Sequence, residues 1–291
     1  MTEEALQLGP EALSKIAQTQ ATCPFVGAAV ATGKLRVRND ATNPLAGIED
    51  VRRLGNSGNG DLGEVLAVFA TGNHAFMRGP TGRLDQKTPD GMFSLEFPGS
   101  KGSHPGHSGI LEGNTGQLDS GRFSAADFQR LAGLAINGLI KRSDVGKFIG
   151  ENLHRDPKSK VFGASVSGLL ARDLGEFVAS AGPALLERLR GSHDEALHRE
   201  VDERLTRLTG EDNLVGSSGE YGLLFAFFAN RTEAKEMDGE PTLPLKDIES
   251  MFVHKRLPEG WETWRKTRAD WVTNATALII SAGKAYLALR R

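Results

Sequence analysis

The sequence predicts a mainly α-helical protein, all-α in class and folded as a single domain over residues 1–291. Three observations lead there. Apolar residues recur at helical spacing in segment after segment, and alternation of the strand type is nowhere sustained. No Pro/Gly/Ser-rich linker, internal repeat or shift in composition divides the 291 residues. A chain of this length can bury one large core without disulfide staples.

The elements follow in order. Cys23-Pro24 opens a helix through VGAAVA, because Pro is favoured at the first helical position, where its missing N–H would be unsatisfied anyway. Asp61 to Met77 begins with Asp61 and Glu64 at capping-box spacing. Leu62, Val65, Leu66 and Phe69 then fall on one stripe. His74 to Gly121 is rich in Gly, Pro, Ser and His and reads as one long loop. Ser124 to Lys141 reads as a helix, with Ser124 as N-cap and Asp127 three residues later. Phe162 to Ser180 is a helix broken by Gly182-Pro183. Ala184 to Thr206, Glu220 to Asn230, Leu245 to Lys255 and Trp261 to Leu289 complete the helical set.

The charge balance excludes some functions. The 35 basic and 37 acidic residues leave a net charge of -2 and are spread evenly. A nucleic-acid binder would carry a clustered basic excess. The best apolar stretch, Ala275 to Leu289, contains Lys284 and is too short to cross a bilayer, so no membrane partner is expected. The opening MTEEALQLGPEALSKIAQ is polar and acidic at its tip, unlike a secretory signal. A cytoplasmic location is expected, or a secreted one if a leader has been removed. Sequons at Asn230 and Asn274 would matter only in the second case. One Cys cannot form an intramolecular disulfide.

Two residues carry chemistry. Cys23 sits at a helix N-cap, facing free N–H groups and the positive end of the dipole, which favour thiolate over thiol. The alternative is a small buried hydrophobe, the commonest role of a lone Cys. Glu220 follows Gly216-Ser217-Ser218-Gly219, a plausible helix start. It heads a stripe of Leu223, Leu224, Phe227 and Phe228. A carboxyl placed there is desolvated and its pKa rises, as an acid–base group near neutral pH requires. The alternative is a Glu that only complements the helix dipole.

Three stretches, taken together, resemble the haem-thiolate peroxidases, the family of chloroperoxidase and the unspecific peroxygenases (peroxidase family 2). The first is ATCPFVGAAVATGKLRVRND, where Thr22 replaces the first residue of the family's Pro-Cys-Pro. The second is GEYGLLFAFFAN, whose Glu220 takes the place of the family's distal acid–base. The third is LPLKDIESMFVHKRLPEGWETW, with Leu257-Pro258 and Gly260-Trp261 at the family's positions. A fourth, Glu112-Gly113-Asn114 followed by Phe123 to Phe128, resembles the family's cation motif, and its spacing departs from the pattern. Asn114 and Gly116 replace an Asp and a Ser, while Asp119 and Ser120 offer another alignment. The implied Mg- or Mn-type cation is left short of oxygen ligands. The match does not extend to residues 130 to 215.

The resemblance implies a b-type haem with Cys23 as thiolate ligand to the iron and Glu220 as the group that moves a proton during hydrogen peroxide cleavage. The product would be an oxidised, oxygenated or halogenated small organic molecule. The family's helper to this Glu is a His or Arg. No Arg lies in Leu214 to Gly219, and Gly113 replaces the His. His104 and His107 in GSHPGHSG could serve instead, or could be solvated loop residues. His74, His154, His193, His198 and His254 show no zinc-type spacing. Two rival functions remain. One is a dedicated biosynthetic haem-thiolate oxidase that does not use free peroxide. The other is a non-enzymatic helical binding protein, suggested by the calcium-like LDSGRFSAADF, which fails EF-hand spacing.

Overall fold

A computed structural model of the chain describes residues 8–19, 23–38, 44–75, 92–95, 111–112, 122–155, 214–231 and 236–290. Helices dominate: α1 (Pro10–Thr19), α2 (Pro24–Ala31), α3 (Ile48–Gly55), α4 (Gly63–Ala75), α5 (Ala125–Ala132), α6 (Arg142–Arg155), α7 (Leu214–Phe228), α8 (Leu245–Phe252) and α9 (Arg268–Leu289), with a 3-10 turn at Trp261–Thr263. The helices expected over 162–180 and 184–206 lie outside the described residues.

The fold is mainly helical but not all-α. Strands β1 (Val37–Arg38), β2 (Leu45–Gly47) and β3 (Met92–Ser94) form an antiparallel sheet in that order. Strands β4 (Leu111–Glu112) and β5 (Arg122–Phe123) pair with each other. Strands β6 (Leu139–Lys141), β7 (Glu236–Met237) and β8 (Glu240–Pro244) form a sheet ordered β6-β8-β7, with Ile140 opposite Leu243. None exceeds five residues, too short for alternation to register in a sequence. All of β2 is buried, so it shows no alternation at all. Strands β3 and β4 also interrupt the stretch read as one long loop.

The helix expected over Ser124 to Lys141 stops at Ala132. Asn137 and Gly138 both adopt positive φ, 54° and 75°. That is the pairing of a two-residue type I′ hairpin turn. Ile136 and Leu139 exchange both N–H···O bonds across it, at 2.9 and 3.1 Å. The N-terminus of α5 is as expected, with Ser124 Oγ accepting from Asp127 N–H at 3.2 Å. Burial would raise the Asp127 pKa, but hydrogen bonds from Arg130, Ser124 and Arg155 outweigh it and hold the carboxyl below its usual range. Ser124→Ala is expected to cost about 1 kcal/mol in urea unfolding.

Asp61 does not cap α4. Gly63 N–H donates to Asn56 Oδ1 at 2.7 Å instead. The Asp61 carboxylate accepts from Arg268 N–H at 2.8 Å, adding to the Thr267 N-cap at the start of α9. A helix N-terminus far away in sequence has taken the side chain that local spacing assigned to α4.

Helix α9 has 22 residues, and Ala275, Leu278, Ile279 and Ala282 are buried. By length and composition it could cross a membrane, longer than the stretch judged too short in the sequence. In the fold it packs on α6 and α7. The approach is close: a Cβ on Gly150 would lie 2.8 Å from Ala285 Cβ, and one on Gly222 2.8 Å from Ala275 Cβ. One hydrophobic cluster runs from Ile16 on α1 through α2, α4, α5, α6, α7 and α8 to Ala282 on α9.

Candidate functional site

Cys23 is the N-cap of α2, with φ -66°, ψ 119° and Pro24 at the first helical position. Gly27 N–H closes the first turn on Cys23 O at 2.9 Å. Every residue from Pro24 to Val30 is buried, so α2 is a core helix and its positive end opens into the interior. Cys23 itself is 8% exposed.

Glu220 is not at a helix start. Helix α7 begins at Leu214, which places Glu220 in its second turn. Helix α7 is apolar on nearly all sides, as a core helix must be, and Glu220 is half-buried on it. Gly219 makes this placement possible: a Cβ there would lie 2.6 Å from Phe69 Cζ on α4. The Gly219 carbonyl accepts from the Trp271 indole N–H at 3.1 Å, and Trp271 meets Phe69 edge-on at 6.1 Å.

Cys23 and Glu220 line the same cavity, with an empty volume of about 470 Å³ counting its open mouth. Its other walls are Pro24 and Phe25 of α2, Leu66 and Phe69 of α4, Tyr221, Leu223, Leu224 and Phe227 of α7, and Met251 and Phe252 of α8. Four helices thus bring a sulfur and a carboxyl, from opposite ends of the chain, to one hydrocarbon-walled space.

Behind the wall stands the third stretch of the resemblance. Trp261 packs on Phe25 at 5.1 Å and on Phe227 at 4.4 Å, the latter edge-on at 77°. Phe25 and Phe227 also meet at 5.4 Å. Aromatic pairs in such geometry contribute roughly 0.5–1.5 kcal/mol beyond their buried area. Gly260 turns the chain into Trp261 with φ 80°. Lys266, 0% exposed, places its ammonium 4.5 Å from the Trp261 ring centre.

No family model, curated protein or solved structure matches this chain.

Sequence reasoning missed one cavity residue, Tyr221, and one cation within electrostatic reach of Cys23, Lys255. Tyr221 is fully buried, and burial, followed by the Glu220 and Asp127 carboxylates, pushes its phenol well above the ordinary range. Lys255 follows α8 with φ 50° and is half-buried. Burial pushes its ammonium down, and attraction to Cys23 opposes that shift. Tyr221 stands beside Glu220 in the sequence and could have been noticed; Lys255 carries no local signal.

Among the described residues, two other candidates do not line the cavity. Glu112 lies in β4, and His254 is exposed. Thr22, His104, His107, Gly113, Asn114, Gly116, Asp119 and Ser120 fall outside the described residues. Among the described residues no three His, Cys, Asp or Glu side chains group together as metal ligands. A porphyrin-borne iron needs only one protein ligand.

Proposed function

We propose that the chain is a haem-thiolate oxidoreductase of the chloroperoxidase and peroxygenase kind, using hydrogen peroxide to oxidise, oxygenate or halogenate a small organic molecule. The observation that carries this reading is that Cys23 and Glu220 line one apolar cavity. The donor set fits a haem. Cys23 offers a single sulfur at the positive end of a core helix, and Phe25, Phe69 and Phe227 offer apolar faces for a flat macrocycle. The shared hydrophobic cluster supports a single domain over residues 1–291.

Once bound, haem supplies the oxidising chemistry, which a thiolate ligand favours by donating electron density. Cys23 holds the iron. Glu220 takes a proton from one peroxide oxygen and returns it to the other; positioned acid–base help of this kind contributes typically ~10²–10⁴ in rate. The Leu and Phe side chains beside the half-buried carboxyl lower the local dielectric on that side, which strengthens its electrostatic interactions.

The test is spectroscopic. The purified protein, supplied with haem, is expected to show a Soret band and, when reduced under carbon monoxide, the red-shifted band of a thiolate-ligated iron. Cys23→Ala is expected to remove that band. An unchanged reduced-carbonyl spectrum in the variant would disprove the ligand assignment.

A further inference from the structure

The cavity that Cys23 and Glu220 share is nearly closed. Its enclosed part is about 40 Å³, room for a few molecules the size of water. Hydrogen peroxide fits there; a macrocycle or an organic substrate does not. Cys23 is correspondingly only 8% exposed. A chamber for larger molecules needs a wall that moves.

Three of the four walls are held in place. Every residue of α2 from Pro24 to Val30 is buried. On α7, Gly222 packs against Ala275, and the Gly219 carbonyl accepts from the Trp271 indole N–H at 3.1 Å. Helix α8 is anchored at its start by the buried Arg231–Asp247 ion pair and by Leu245 N–H on Gly138 O at 2.9 Å. Shifting α7 or α8 would strip buried polar groups of their partners, and shifting α2 would open the core.

The fourth wall, α4, is built differently. The loop before it is clamped. Asp61 N–H donates to Lys266 O at 2.9 Å, Lys266 Nζ donates to Ser57 Oγ at 2.8 Å, and a Cβ on Gly58 or Gly60 would collide with the Trp264 or Lys266 carbonyl. Helix α3 travels with α4: a Cβ on Gly55 would lie 2.7 Å from Gly63 Cα, and Arg52 pairs with Glu64 at 3.0 Å. Toward the cavity α4 presents Leu66 and Phe69. Phe69, about two turns past the clamp, rests its ring on Gly219 and meets Trp271 edge-on at 6.1 Å. A ring resting on bare backbone can part from it without leaving a buried polar group unsatisfied.

We propose that α4 is the door of the cavity: it swings about residues 57–61 and lifts Phe69 off Gly219, opening a path to Cys23. The closed position admits molecules of peroxide size, and the open position admits the bulkier occupants that the proposed function requires. The inference takes its purpose from that function, but the motion is tested without any cofactor.

The readout is alkylation of Cys23, the chain's one thiol, by iodoacetamide, a reagent too bulky for the closed space. It is followed by mass spectrometry on the purified protein without denaturant. The wild-type rate is expected to lie at least about 100-fold below that of the urea-unfolded chain, because the thiol reacts only when the cavity opens. Phe69→Ala removes the ring, and Gly219→Ala puts a methyl in its seat. Each is expected to speed alkylation by about 10- to 100-fold. Leu153→Ala, a truncation in the α6 core outside the cavity lining, is expected to stay within about threefold of wild type. A wild-type thiol as reactive as in the unfolded chain, a rate unmoved by Phe69→Ala, or equal acceleration by Leu153→Ala would each overturn the proposal. Acceleration by Phe69→Ala in a protein that takes up no haem would uphold the door and sink the haem reading. A thiolate-type Soret spectrum with alkylation unmoved by Phe69→Ala would do the reverse.

Discussion

Glu220→Gln is expected to lower peroxide-driven turnover by roughly 10²–10⁴ while leaving haem content and the reduced-carbonyl spectrum unchanged. Gln keeps the volume and most of the polarity of Glu but cannot take up a proton. The substitution therefore separates proton movement from packing. Packing is a real concern at this position, because Gly219 beside it is filled against by Phe69 and Leu223 and Leu224 one turn on are buried. Rates are best measured on haem-loaded protein as single-turnover peroxide consumption, so that substrate binding does not enter. Turnover within a few-fold of wild type would remove Glu220 from the mechanism even if Cys23 proves to be the iron ligand. Loss of haem from the variant would instead mean that the carboxyl helps to build the pocket.

How much of this was legible in the sequence depends on whether the cause of each feature is local. Pro24 is a local cause: it fixes the start of α2 and so the N-cap position of Cys23. Ser124 and Asp127 are another, and α5 starts where they place it. Helix α7 shows the opposite case. Ser217-Ser218-Gly219 has the composition of a helix start, yet all three lie inside the helix. Gly219 is there for the close approach of Phe69, which local spacing does not reveal. Asp61 likewise accepts an N–H from the start of the helix it meets in space. The turn at Asn137-Gly138 was a local signal that the helix expected over Ser124 to Lys141 ran through.

The meeting of Cys23 with Glu220 depends on non-local packing. It follows from α2 and α7 sharing the aromatic cluster of Phe25, Phe227 and Trp261. No spacing within either segment encodes it. The resemblance is the one sequence-level feature that set the two residues in a common site.

Lys266 is the clearest residue that the sequence hides, and replacing it is expected to cause the largest loss of stability. In WRKTRAD it reads as one of several solvated cations, yet it is 0% exposed. Its three donors are all used: Nζ reaches Trp261 O at 2.6 Å, Trp264 O at 2.7 Å and Ser57 Oγ at 2.8 Å. The lysine thus ties the turn bearing Trp261 to the loop between α3 and α4, and Trp261 in turn backs the Phe25 and Phe227 wall. Lys266→Met fits the space but takes the ammonium from three oxygens; Trp261 O keeps the Trp264 N–H at 3.3 Å, while Trp264 O loses this donor inside the core, at about 1–3 kcal/mol for an acceptor left unsatisfied. Relief from burying a charge offsets part of this. A net loss of about 1–3 kcal/mol at pH 7 is expected in urea unfolding.

The pH dependence reports which force governs the ammonium. Burial pushes its pKa from 10.5 down to about 8, with Glu262 opposing the shift; the three oxygens and the indole face also favour the charged form. If burial prevails, the unfolded chain holds this proton between about pH 8 and 10.5 while the folded protein does not. Stability then rises with pH across that window, because the unfolded state binds more protons there. Lys266→Met lacks this contribution, so its deficit relative to wild type is expected to grow between pH 7 and pH 10 by on the order of 3 kcal/mol. A deficit that stays level would show that the oxygen acceptors hold the proton against burial, and that the strut behind the cavity wall remains charged throughout.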